Sequence, residues 1–211
     1  MSTRLMAMTN AAQRHRIFVS RVLISLVLAI VLLTRLSWPE RALGGFAVEN
    51  AGFILITVGA FGRMWAALYI AGKKSKELVT VGPYSVSRNP LYFSSLLLGL
   101  GIVASLQNLL LLVPLAFFHI TCYFLTILGE ERDLAVRFGS QYEDYRRRVP
   151  RLLPAFWKYR RGGDLEGWVA VRETRVLKSL FESALFILII PFSEIIEELH
   201  IRGILPLILK H

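Results

Sequence analysis

Long apolar runs separated by short basic stretches set the pattern of this chain. A helix needs about 20 mostly apolar residues to cross a hydrocarbon layer about 30 Å thick, because it rises 1.5 Å per residue. The first run of that length is Ile17–Leu36, uncharged over Val22–Leu33. It follows Arg14-His15-Arg16, and no clear small-residue cleavage site follows it, so it reads as a retained span rather than a cleaved signal. The second run, Phe46–Ala71, carries Glu49 at its entry and Arg63 in its interior. The third runs from Pro90 to Leu106 and the fourth from Leu109 to Leu128. Only Gln107-Asn108 separates them, which predicts a tight antiparallel helix hairpin. The fifth, Leu180–Ile196, is interrupted by Glu182, Pro191 and Glu194. A last short run, Ile204–Leu209, suits the interface or a shallow dip into the bilayer.

One segment changes period. Leu134, Phe138, Tyr142, Tyr145 and Val149 recur at spacings of three and four and share one helix face. Arg132, Arg137, Asp144, Arg147 and Arg148 fall largely elsewhere. The spacing predicts an amphipathic helix over 131–150 at the membrane surface, either simply packed there or lining a substrate mouth. The expected fold is all-α: a polytopic membrane helical bundle of about five transmembrane helices with a cytoplasmic amphipathic helix. Three stretches are expected: an arm and first span over 1–45, a membrane core over 46–154, and an interfacial segment with the fifth helix over 155–211.

Composition agrees with the pattern. The chain is 55% hydrophobic and 19% charged, against about 25% charged in soluble domains. That argues against a soluble enzyme and a disordered chain. The formal charge of +10 does not imply nucleic acid, because Lys and Arg sit between apolar runs rather than in a stripe with aromatics. They gather in the N-terminal arm, in 72–89 and in 129–176, and those three segments are expected on the cytoplasmic face. The single Cys122 lies in an apolar run and excludes an internal disulfide or a Cys-rich metal site; no metal is expected.

Four features carry candidate chemistry. The first is Gly82-Pro83-Tyr84-Ser85-Val86-Ser87-Arg88-Asn89-Pro90-Leu91-Tyr92. Asn89 suits an N-cap and Pro90 a first helical position, so the third helix should begin there. Its free N–H groups beside Arg88 make either an anion site or an ordinary capped start at the headgroups. The second is Gly99-Leu100-Gly101, where backbone is open to a neighbouring helix or a flat ligand. The third is Glu130-Glu131. The hairpin should return it beside Arg88, Asn89 and Tyr92, where it serves a zwitterionic ligand or the nearby basic segment. The fourth is Arg146–Pro154, RRRVPRLLP, which reads by itself as a phospholipid-binding basic patch. His119 and Arg63 are ionisable groups within spans. His119 reads as a hydrogen-bonded structural residue, and Arg63 as a second-tier site candidate.

In order and spacing these parts resemble the integral-membrane methyltransferases, a family that includes the isoprenylcysteine carboxyl methyltransferases and the phosphatidylethanolamine N-methyltransferases. The resemblance covers about residues 50 to 154. Asn89 stands where many members have His, and Ser94 where a Gly is common. The resemblance implies S-adenosylmethionine as methyl donor, held at the cytoplasmic ends of helices three and four. It implies Tyr84, Arg88, Asn89, Pro90, Tyr92, Gly99, Gly101, Glu130 and Glu131 as cofactor-binding residues, with Glu131 and Arg88 as catalytic. Arg88 would hold the carboxylate, and Glu130 or Glu131 the ribose or the ammonium. Methyl transfer is an in-line displacement that mainly asks for alignment and exclusion of water. A carboxylate acceptor is already a nucleophile, whereas an amine must lose a proton, for which Glu131 is the candidate base. The implied acceptor is lipid-like and enters from the bilayer among membrane lipids, with no nucleic-acid partner. The competing classes are an NADPH-dependent sterol-type reductase and a non-enzymatic membrane protein that retains the fold.

Overall fold

In the computed structural model, the structure describes residue 30 and residues 43–71, 77–161 and 173–204. The expected first span, apart from Ile30, and most of the short run after Ile204 lie outside the described residues. The described residues are helical, with no strand among them. In chain order they form α1 (Leu43–Ile70), the short α2 (Pro83–Val86), α3 (Pro90–Ser105), α4 (Leu112–Phe118), α5 (Leu125–Phe138), α6 (Ser140–Arg148), α7 (Glu173–Ile187) and α8 (Ile189–Ile201). A π turn, His119–Phe124, joins α4 to α5 without interrupting the rod. Among the described residues, three helical stretches are long and apolar enough to cross a membrane: Leu43–Ile70, Leu112–Phe138 and Val176–Ile196. The expected third span is a shorter apolar helix, Pro90–Ser105.

α1 and α3 pack backbone to backbone, and glycine makes that possible. A methyl group on Gly52 would lie 2.5 Å from the Ser105 amide nitrogen. One on Gly101 would lie 2.8 Å from the Gly52 carbonyl oxygen, and one on Gly59 2.9 Å from the carbonyl oxygen of Ser94. Small residues on facing helices allow this approach where no hydrophobic drive separates protein from lipid. Ile56, Ala60 and Leu98 fill the seam, and Ile187 and Ile190 pack on it from the C-terminal helices. The Ser183 hydroxyl donates to the Ala60 carbonyl at 3.1 Å, tying α7 to α1.

Two expectations are corrected here. The single helix over 131–150 is two helices: Gly139, with φ +51°, ends α5 at Phe138, and α6 starts at Ser140. The fourth apolar rod also runs ten residues past its expected end at Leu128, to Phe138. Leu134, Phe138, Tyr142, Tyr145 and Val149 do gather in one cluster, but from two helices and the residue after them, and they pack within the protein with Leu78 against them.

Candidate functional site

The site lies where the loop before α3, the end of α1 and the start of the basic segment converge. The loop Gly82–Asn89 is clamped by the stretch after α6. The Arg88 amide donates to the Pro150 carbonyl at 2.9 Å, and the Ala155 amide to the Val86 carbonyl at 2.9 Å. The Gly82 amide donates to the Arg160 carbonyl, and the Arg160 amide returns to the Ser85 hydroxyl at 2.8 Å. The Ser87 hydroxyl donates to the Leu152 carbonyl at 2.9 Å. Pro150 and Pro154 keep residues 149–155 out of helix, so their backbone groups stay free to pair with the loop. The stretch 150–160 is thus a strap across the loop.

Glu131 is the hub beneath the strap. Its side chain is only 10% exposed, and Arg88 Nη2 lies 3.3 Å from one carboxylate oxygen. Asn89 Nδ2 donates to that same oxygen at 3.2 Å and to the Arg151 carbonyl at 2.9 Å. Arg151 reaches the other oxygen at 3.1 Å. The hairpin does return Glu131 to Arg88. Asn89 makes no side-chain cap; its amide serves Glu131, and its carbonyl accepts from the Tyr92 and Phe93 amides. Ser94 packs against Gly62 and Gly59 of α1, whose missing side chains leave it room.

Beside the hub is a cavity of about 440 Å³. Tyr84, Arg88, Asn89, Pro90, Tyr92 and Glu130 all line it. Glu131 does not, and neither do Gly99 and Gly101. Adjacent helix positions point about 100° apart, so Glu130 faces the cavity while Glu131 turns under the strap. Gly101 meets α1 and Gly99 meets the Leu115 side chain, so both glycines serve helix packing.

The cavity also takes residues that the sequence reading ranked low or passed over. Arg63 lines it, with Nη1 donating to the Ser95 hydroxyl at 2.7 Å. Glu77, Asp133 and Arg137 line it too. The spacing of Glu130, Asp133 and Arg137 by three and four along one helix was a readable signal. Nothing in the sequence singled out Glu77, or Arg151 among its neighbouring arginines.

Several donors in this cavity have no acceptor among the described residues. Arg88 Nε and Nη1, Arg63 Nε and the Tyr84 hydroxyl are buried and unpartnered. The Arg88 side chain is 8% exposed, so water does not serve it freely. A buried charged donor without an acceptor is costly, which marks these atoms as poised for a ligand. Burial, and then the nearby Glu130 carboxylate, push the Tyr84 phenol well above its ordinary range, so it stays a donor. Carboxylates of Glu77, Glu130 and Asp133 stand against guanidiniums of Arg63, Arg88 and Arg137. That balance fits a ligand bearing both signs, and the free Arg88 donors fit a carboxylate.

His119 is placed as expected, with Nδ1 3.1 Å from the Leu115 carbonyl. Tyr123 packs edge-on against Tyr92, at 5.2 Å between ring centroids, and carries an aromatic wall from the cavity toward α4.

Apolar helices of spanning length and a buried ionic hub at one end define an integral-membrane protein. The sequence profile of the phospholipid methyltransferase family matches residues 48–141. The nickel-cobalt-cadmium resistance protein NccN of Alcaligenes xylosoxydans xylosoxydans is 35% identical over 147 residues, 70% of this chain and 68% of that protein. The cobalt-zinc-cadmium resistance protein CzcN of Cupriavidus metallidurans is 37% identical over 154 residues, 73% of this chain and 70% of that protein. The methanethiol S-methyltransferase of Crocosphaera subtropica is 31% identical over 121 residues, 56% of this chain and 46% of that enzyme. No solved structure matches. The chain belongs to the phospholipid methyltransferase family of membrane methyltransferases.

Proposed function

We propose that this protein is an S-adenosylmethionine-dependent methyltransferase working in the cavity between α1, α3 and α5, on the cytoplasmic side of the membrane. The observation that carries the reading is buried Arg88, with two unpartnered nitrogens in a cavity that also holds the free carboxylate of Glu130. The bound cofactor would supply an electrophilic methyl group on a sulfonium. Arg88 binds the cofactor carboxylate, helped by the Tyr84 hydroxyl as a neutral donor. Glu130 accepts hydrogen bonds from the ammonium or the ribose. Tyr92, supported by Tyr123, offers a ring face to the cationic centre. Glu131 is a positioning residue, because it pairs with Arg88 and does not line the cavity, whereas Asn89 lines the cavity and also donates to Glu131. The balance of charges disfavours NADPH, whose extra phosphate asks for surplus cations.

The acceptor in this reading is lipid-like, an isoprenylcysteine carboxylate or a phospholipid amine, and reaches the cavity from the bilayer. An amine must give up a proton first. Glu130 is the better base, since the Glu131 lone pairs are already engaged by two guanidiniums. A thiol acceptor is the second reading, favoured by the relative named for methanethiol S-methylation. Two relatives are named for metal resistance, yet among the described residues no group of three or more His, Cys, Asp or Glu is placed to hold a metal ion. The resistance link would therefore run through a methylated product.

The test is titration of the demethylated cofactor into the purified protein and into Arg88→Gln. Loss of charge-assisted hydrogen bonds should weaken binding by about ten- to a hundredfold. Equal affinity in the two proteins overturns the assignment. Membranes incubated with methyl-labelled cofactor would then show the acceptor as the labelled lipid or thiol.

A further inference from the structure

The strap has a second face. Beside the Gly82–Asn89 loop lies another cavity, of about 560 Å³, that shares only Tyr145 with the first. Arg147, Arg148, Lys158 and Arg160 line it, and no acidic residue is among its described lining residues. Part of this positive charge is tied to backbone: Lys158 Nζ donates to the Arg148 carbonyl at 2.7 Å, and Arg148 Nε to the Asp144 carbonyl at 3.1 Å. Those bonds fix the cations around the opening without neutralising them.

Trp157 lines the same opening, with Phe156 next to it in the chain. Trp157 is 83% exposed, and Leu153 and Phe156 are exposed as well. Such exposure is out of place in water but suits the headgroup boundary, where amphipathic rings and cations collect. The depth is right as well. Tyr159 packs on Trp65, with ring centroids 6.1 Å apart. Trp65 lies within the last two turns of the spanning helix α1, which ends at Ile70. The opening therefore sits level with the end of a membrane span.

We infer that this basic, aromatic-rimmed cavity binds the headgroup of an anionic phospholipid, with Trp157 and Phe156 seated at the acyl boundary. The phosphate meets the guanidiniums of Arg147 and Arg148 and the Lys158 ammonium. The site does not depend on the methyltransferase reading, because its lining shares only Tyr145 with that of the first cavity. It gives the strap an external ligand.

The test uses the whole protein in mixed micelles holding equal phosphatidylglycerol and phosphatidylcholine, with retained lipid read by native mass spectrometry. Wild type should keep phosphatidylglycerol over phosphatidylcholine by about tenfold, given several cations at one surface site. The triple variant Arg147→Gln, Arg148→Gln, Lys158→Gln should lose that preference while helix content stays unchanged. Trp157→Ala, with every charge intact, should also hold the lipid less well. Equal retention of the two lipids by wild type overturns the proposal, and so does a triple variant that keeps the preference. Displacement of the lipid by millimolar inorganic phosphate would overturn it in favour of a soluble anion site.

Discussion

The seam between α1 and α3 and the strapped end of the molecule solve the same problem in opposite ways. Both bring distant backbone segments together. At the seam the partners are helices whose backbone groups are already paired, so Gly52, Gly59 and Gly101 only have to remove side chains. At the strapped end the loop and the strap lie outside any long helix. Contact there depends on polar pairing, from the Ser85, Ser87 and Asn89 side chains and the Glu131 carboxylate. The seam is specified by absence of volume, and the strap by presence of partners. The seam's charged contact, Arg63 to the Ser95 hydroxyl, lies at the cavity end, away from Gly52 and Gly101. The strapped end leaves donors over, and those are what a ligand can use.

The sharpest way to break the comparison is Glu131→Ala. It leaves Arg88 buried without its partner, and removing one member of a buried ion pair costs about 3–5 kcal/mol. Thermal unfolding in detergent should show the loss. Full stability in the variant would mean that the hub does not hold the strap. Glu130→Gln should leave stability nearly unchanged and weaken binding of the demethylated cofactor, because Glu130 is exposed and lines the cavity. The two neighbours would then separate folding from binding.

Next in size is Gly101→Val at the seam. Its side chain would meet the Gly52 carbonyl at 2.8 Å, and overpacking of this kind costs about 1–3 kcal/mol. Binding of the demethylated cofactor by the folded fraction should stay normal, since Gly101 does not line the cavity. A specific loss of binding at full stability would restore the glycine to the cofactor site.

These pairs also mark what the sequence could and could not reveal. Long apolar runs and a two-residue turn were enough to place Glu131 beside Arg88, because a helix hairpin has fixed rise and must come back. The split between Glu130 and Glu131 was not legible. It depends on the rotation of α5, which the strap and the packing of Leu134 and Phe138 decide. The glycines announced close approach without naming the partner, and the partner is a helix. The strap was invisible for a different reason: its bonds join residues some 65 apart through backbone groups that every sequence carries. Gly139 was available as a breaker but stood inside an unbroken apolar period, so the period prevailed in the reading.

The smallest expected effect tests the strapped end through a proton. The Tyr145 hydroxyl donates to the Tyr84 carbonyl at 2.7 Å, in a position only 3% exposed. Burial, and then the neighbouring Tyr84 phenol, push the Tyr145 phenol far above the ordinary value near 10. The folded state therefore holds this proton more tightly than the unfolded chain does. Its contribution to stability is complete below about pH 10 and falls as pH rises above that, because the unfolded chain alone can then release the proton. Tyr145→Phe should cost about 0.5–1.5 kcal/mol near pH 8, the worth of one hydrogen bond. It should also make the alkaline fall shallower. The fall should persist in part, because Tyr84 and Tyr142 are shifted upward as well. Unfolding midpoints of wild type and variant near pH 8 and again near pH 11 give both quantities. Curves that stay parallel across that range would show that Tyr145 does not carry the alkaline limb, and would leave its hydrogen bond as a packing contact alone.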